Sequence, residues 1–188
     1  FESLRWGVRR NDQGYIIDPE VLYKPYSYEK RGRDIKIVFR DQKLSDLISF
    51  HYARADAKEA ARDCMNRLRN IRASIGNKIM APLVTIAMDG ENAWETYKND
   101  GKDFLSYLYE GILGDPGIVP ITISEYLKLA NDIGNLHHIH PGSWIAHNFS
   151  IWIGNIEDNT AWTQLARARE FLESADPDHT NRMAWESI

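Results

Sequence analysis

The sequence predicts an α/β domain, on three observations. Apolar, largely β-branched runs of strand length stand at residues 35–39, 83–88 and 118–123. Each is followed by a stretch with helical spacing of apolar residues. Strands and helices alternating in this way indicate βαβ units with a parallel sheet or barrel, and three strands are too few to close a barrel. Beyond Asn131 the texture changes to an aromatic segment and then to helical spacing.

Residues 1–28 carry Trp6, Tyr15, Tyr23, Tyr26 and Tyr28 among charges, with Pro19 and Pro25. The prolines forbid a long helix, so irregular structure with short extended pieces is expected. After a turn at residues 30–33 comes the first strand, which ends in the polar string RDQKLSD over 40–46. A short helix through Leu47 and Ile48 to Tyr52 follows, then a long one over 57–74 opened by Asp56 with Glu59 and ended by Gly76. The run 83–88 reads as an inner strand of a parallel sheet, stopped by Asp89, Gly90 and Glu91. A helix through Trp94, Tyr97, Phe104, Leu108 and Ile112 is interrupted at Asp100 and Gly101. Thr122 and Glu125 form a capping-box pattern for the helix carrying Tyr126 and Leu129. An amphipathic helix over 158–172 and a short one after Pro177 complete the chain.

At 188 residues the chain is long enough for one domain with a hydrophobic core. Its net charge of −4 and pI near 5.9 argue against nucleic acid as a partner, since phosphate binding needs concentrated Lys and Arg. The longest apolar run, 79–88, contains Pro82 and is far shorter than the roughly 20 residues that span a bilayer, so no membrane partner is expected. The single Cys64 permits no internal disulfide and fits a reducing, cytoplasmic compartment. It recurs with Ala57, Ala61, Leu68, Ile71 and Ile75 at three- and four-residue steps, which places it on a buried helix face. Phe1 is neither an initiator Met nor the start of a signal peptide, which reads as a piece of a longer protein.

Asp89 and Glu91 place two carboxylates around a glycine at a strand end. A carboxyl group in a partly apolar site can hold its proton and donate it to a departing glycosidic oxygen. The bland alternative is that both cap the next helix, and spacing alone favours it. Arg40, Asp41 and Asp46 crowd another strand end, where the guanidinium either fixes a carboxylate and sugar hydroxyls or merely pairs to shape the loop. His137, His138 and His140 lack a recognised ligand spacing, so an exposed turn before Pro141 is the favoured reading over a metal site. Trp162 lies on a helix with Leu165 and reads as core. Trp144 and Trp152 stay open between core and a platform for sugar rings, with Asn148 as a neighbouring amide.

Three strings together, FRDQKLSD over 39–46, MDGENAWE over 88–95 and PGSWI over 141–145 with Asn148, Phe149 and the WIG of 152–154, resemble glycoside hydrolase family 57. The resemblance runs from about Leu22 to about Arg169. It implies a retaining enzyme acting on α-glucan oligo- or polysaccharides, of the α-amylase or amylopullulanase kind, on an incomplete (β/α)7-type barrel. Residues 1–130 would be the C-terminal half of that barrel, and 131–188 an aromatic loop and helical segment packing on it. The same resemblance makes Asp89 the general acid/base, Glu91 its support, and Arg40, Asp41, Asp46, Trp94, Trp144, Asn148 and Trp152 contacts of the glucan cleft. No cofactor and no metal are called for. The family's nucleophilic glutamate motif and its earlier histidine motif have no counterpart here, and the WGVRR string at 6–10 carries no site. The attacking carboxylate is therefore expected from an upstream part of the same polypeptide, and this chain alone is expected to be inactive. Two rival readings are a non-catalytic carbohydrate-binding module built on Trp144 and Trp152, and a metal-dependent polysaccharide deacetylase using the histidines.

Overall fold

Residues 31 and 32 decide how the first strands pair. A two-residue connection cannot cross over to a parallel neighbour, and Arg31 and Gly32 both adopt positive φ, 54° and 73°, as a tight hairpin turn requires. In the computed structural model, which describes residues 11–12, 17–91, 93–143 and 145–187, the result is an antiparallel hairpin of β1 (Tyr26–Lys30) and β2 (Arg33–Ile37). The register runs from Tyr26 opposite Ile37 to Lys30 opposite Arg33. On its other side β1 takes β3 (Gly134–Leu136) in parallel, giving the order β2-β1-β3. The fold is mixed α/β, and the sheet is mixed rather than all-parallel as the sequence suggested. Trp6 and Tyr15 of the expected N-terminal aromatic segment lie outside the described residues.

The helices form largely where spacing places them. A single turn, α1 (Pro19–Leu22), starts on a proline whose fixed φ suits the first helical position. Asp41 caps α2 (Gln42–Asp46) by accepting from the Leu44 N–H, and the helix widens into a π turn over Leu47–His51 and a 3₁₀ turn over Tyr52–Arg54. The long helix α3 (Ala57–Ile75) is capped by the Asp56 side chain, which accepts from the N–H groups of Lys58 and Glu59. Gly76, at φ 54°, closes it. Next come α4 (Lys102–Leu113) and α5 (Ile123–Leu129), the latter with the full reciprocal capping box of Thr122 and Glu125.

Two of the three expected strands are not strands. Pro120 interrupts the 118–123 run and removes a ladder donor. The run remains unpaired among the described residues, with Val119 exposed. In residues 83–88 only Thr85 bridges, in parallel, to Arg40. That bridge includes the bond from the Asp41 N–H to the Thr85 carbonyl, and further back on the same edge the Leu83 N–H donates to the Tyr23 carbonyl.

The chain divides into two compact units, Phe1–Ile139 and His140–Ile188. In the first, one apolar cluster gathers Leu22, Tyr23, Tyr26, Leu44, Ile71 and Ile75, and a second gathers Ile48, Tyr52, Cys64, Met65, Tyr97 and Phe104. Ile86 and Leu68 pack against both. Cys64 is fully buried where α3 meets the second cluster, and burial pushes its thiol up to about 12.

The second unit contains α6 (Ile156–Ala175) and α7 (Arg182–Trp185). Its Asp176 carboxylate gathers the Thr180 hydroxyl and N–H, the Asn181 N–H and the Trp185 indole N–H, bonds that hold its carboxyl well below the usual range. The expectation of a buried face on α6 is not met: none of its residues is buried, and Trp162, expected in the core, is half exposed. Its indole N–H donates to the Trp152 carbonyl at 2.7 Å instead. Among the described residues no helix is long and apolar enough to cross a membrane.

Candidate functional site

The turn bearing Asp89 and Glu91 is suspended between two fixed points. On the near side Ala87 is held through both of its backbone groups. Its N–H donates to the Ser45 hydroxyl oxygen at 3.2 Å, and its carbonyl accepts from Arg40 Nη1 at 3.1 Å. The second guanidinium nitrogen of Arg40 faces Asp46 Oδ1 at 3.4 Å, so this arginine joins the α2 loop to the end of the 83–88 run. On the far side Trp94 is wedged in the second apolar cluster. Its ring meets Tyr97 edge-on at 5.3 Å, and Gly101 approaches so closely that a Cβ there would sit 2.7 Å from Trp94 Cε3. Between these anchors Asp89 and Glu91 are exposed, with Gly90 and Glu91 in a turn.

The capping reading of these two carboxylates is corrected by where the next helix starts. Among the described residues after Glu91 no helical turn begins before Lys98, and the residue ahead of that turn is Tyr97. A carboxylate acts on a helix terminus only within the first turn. Asp89 and Glu91 lie too far back along the chain to serve there.

The remaining expected site residues fall into distinct surroundings. Asp41 is buried, its Oδ2 accepting from the Tyr23 hydroxyl at 2.6 Å and its Oδ1 from the Leu44 N–H at 3.1 Å. It therefore shapes the loop from inside, while Arg40 and Asp46 are part-exposed on the loop's surface. Asn148 belongs to the second unit, where its side chain closes a local turn by donating to the Ala146 carbonyl and accepting from the Ser150 N–H. Trp152, also there, is 41% exposed and lies edge-on to Phe149 at 6.5 Å. Trp144 and Asn92 lie outside the described residues. His137 and His138 are exposed, and His140 Nε2 lies 2.7 Å from the His147 carbonyl. Among the described residues no group of three His, Cys, Asp or Glu side chains is placed to hold a metal ion.

Sequence reasoning missed Ser45. The signal was present in the spacing, because Asp41, Leu44, Ser45 and Ile48 share one face of the helical stretch and all four are buried. A lone hydroxyl on such a face needs a partner. Ser45 finds two, donating to the Asp41 carbonyl at 2.8 Å and accepting from Ala87.

With this geometry established, the class follows from the sequence of the first unit. The model of Glycosyl hydrolase family 57 matches residues 10–137, which is most of the chain. The chain belongs to that family of glycoside hydrolases, whose substrates are carbohydrates. The matched region contains both loops just described and ends before the PGSWI string. No curated protein sequence matches the chain.

Proposed function

We propose that the chain is the acid/base-bearing part of a retaining α-glucan hydrolase or transglycosylase of the amylase or amylopullulanase kind. The observation that carries this reading is Asp89, open to solvent on a turn whose two ends are fixed, in a chain of family 57. A general acid must reach the glycosidic oxygen from a defined position, and an exposed side chain on a pinned turn meets both requirements.

In the first step Asp89 donates its proton to the departing glycosidic oxygen while a second carboxylate attacks the anomeric carbon. In the next step Asp89, now ionised, takes a proton from water or an acceptor sugar, which attacks the glycosyl-enzyme and restores the anomeric configuration. Glu91, two residues on, supports Asp89. The attacking carboxylate, about 5 Å from the acid in a retaining site, comes from upstream polypeptide. Residues 83–88, bridged in parallel to Arg40 at Thr85 alone, become one strand of an incomplete β/α barrel when that polypeptide completes it. Residues 1–130 belong to the barrel and 131–188 to an accessory segment. Arg40, Asp46 and Trp94 border the glucan cleft, Asp41 shapes it from within, and Trp144, Asn148 and Trp152 supply sugar contacts.

The test is Asp89→Asn in the glucan-hydrolysing polypeptide that carries this chain. Turnover of maltooligosaccharides is expected to fall by about 10²–10⁴-fold, with undiminished turnover overturning the assignment. Residues 1–188 alone are expected to show none. Robust hydrolysis by them would place both carboxylates within this chain.

A further inference from the structure

We infer that Ser45 is a positioning residue for the acid/base step, acting together with Arg40 through the backbone of Ala87. This rests on the reading of Asp89 given above. Residues 83, 85 and 87 turn the same edge toward Tyr23 and the 40–46 loop, at the two-residue period of a strand. Leu83 bonds to the Tyr23 carbonyl and Thr85 to the Asp41 N–H, both backbone partners. At Ala87 the ladder would fail. The neighbouring chain has by then entered α2, and the Asp41 carbonyl that a further rung would use accepts from the Ser45 N–H at 3.0 Å instead.

Two side chains replace the missing rung. The Ser45 hydroxyl presents its oxygen to the Ala87 N–H, and Arg40 presents a guanidinium N–H to the Ala87 carbonyl. Ser45 is completely buried, and its hydroxyl hydrogen is committed to the Asp41 carbonyl, four residues back in the helix, so its oxygen has one orientation to offer. Asp41 is itself locked by Tyr23 and Leu44. The chain of bonds runs from a buried tyrosine, through Asp41 and Ser45, to the peptide two residues before Asp89. Loss of the rung frees Met88 and Asp89 to swing, and misplacement of a reacting group by about 1 Å can cost 10²-fold in rate.

A residue acting through the acid leaves a particular kinetic signature. Proton donation matters for a sugar leaving group and little for an aryl leaving group that departs without help. Ser45→Ala, in the polypeptide that hydrolyses glucan, is expected to lower kcat on maltooligosaccharides by about 10- to 100-fold with KM within about twofold. It is expected to spare the glycosylation rate on an activated aryl glycoside. Ser45→Cys, which keeps the side chain's shape and replaces its oxygen by a weaker acceptor for the Ala87 N–H, is expected to show the same selective loss should Ser45→Ala fold poorly. Asp89→Asn serves as the reference. If it retains turnover, the acid/base reading falls and this inference with it. If it is inactive while both variants match the parent, or lose activity equally on both substrates, the positioning role alone is overturned.

Discussion

Gly101 carries more of the first unit's geometry than its size suggests. It stands at φ 74°, after Asn99 and Asp100 at 53° and 52°, so the chain enters α4 through three successive left-handed residues. Its missing side chain is also the space occupied by the Trp94 ring. Gly101→Ala meets both costs at once, a left-handed alanine at about 1–2 kcal/mol and overpacking at about 1–3 kcal/mol. A loss of about 2–5 kcal/mol in urea unfolding is expected, and a variant as stable as the parent would show that Trp94 is not held here. Because Trp94 ends the turn of Asp89, the same variant links a packing defect to the site. The break at Asp100 and Gly101 was legible in sequence from the residue types alone. That the glycine also made room for an indole was not, since that contact depends on how the chain folds back.

Among the elements, α3 and the segment leaving α4 are tied by a single carboxylate. Asp115 accepts from Arg69 Nε at 2.8 Å and Arg72 Nη1 at 3.0 Å, and from the Gly117 N–H. The Arg69 bond foremost, with the Gly117 N–H and Arg72, holds the Asp115 carboxyl down at about 2. A carboxylate whose pKa is lower folded than unfolded favours the folded state above its unfolded pKa, near 3.9. That contribution is lost as pH falls from about 4 through about 2. Thermal midpoints of Asp115→Asn should accordingly lie below the parent at pH 6 and converge on it toward pH 2. Parallel pH profiles for the two proteins would remove Asp115 from the acid response. The elements themselves were read well where their signals are local. The caps at Asp56 and Thr122 and the spacing over 57–75 involve residues within one or two turns. Strand pairing is non-local, and the hairpin partner of β2, the three-residue β3 and the single bridge of Thr85 could not be read from the runs themselves.

Across the whole chain, the half-exposed tryptophans mark where sequence spacing and packing part company. Spacing identifies an apolar stripe on α6, but burial requires something against it, and within its own unit Trp162 meets the Trp152 carbonyl rather than a core. The candidate site divides along the same line. Its carboxylates, arginine and tryptophan were visible as residue types, whereas spacing could mark Ser45 only as a buried hydroxyl in need of a partner, and its bond to Ala87 emerged from the approach of two loops.

Cys64 gives the molecule a timer. It is the only thiol in the chain, it has no exposed surface, and its pKa of about 12 leaves almost none of it as reactive thiolate at neutral pH. An alkylating reagent can therefore reach it only when α3 comes away from its neighbours, so labelling at low denaturant should follow the free energy of that opening. Mass spectrometry of the adduct should show rates rising with urea in step with unfolding, and rapid labelling of the native protein would contradict the burial. Read in this way, one sulfur atom reports the parting of α3 from the apolar cluster against which Trp94, at the end of the Asp89 turn, is packed.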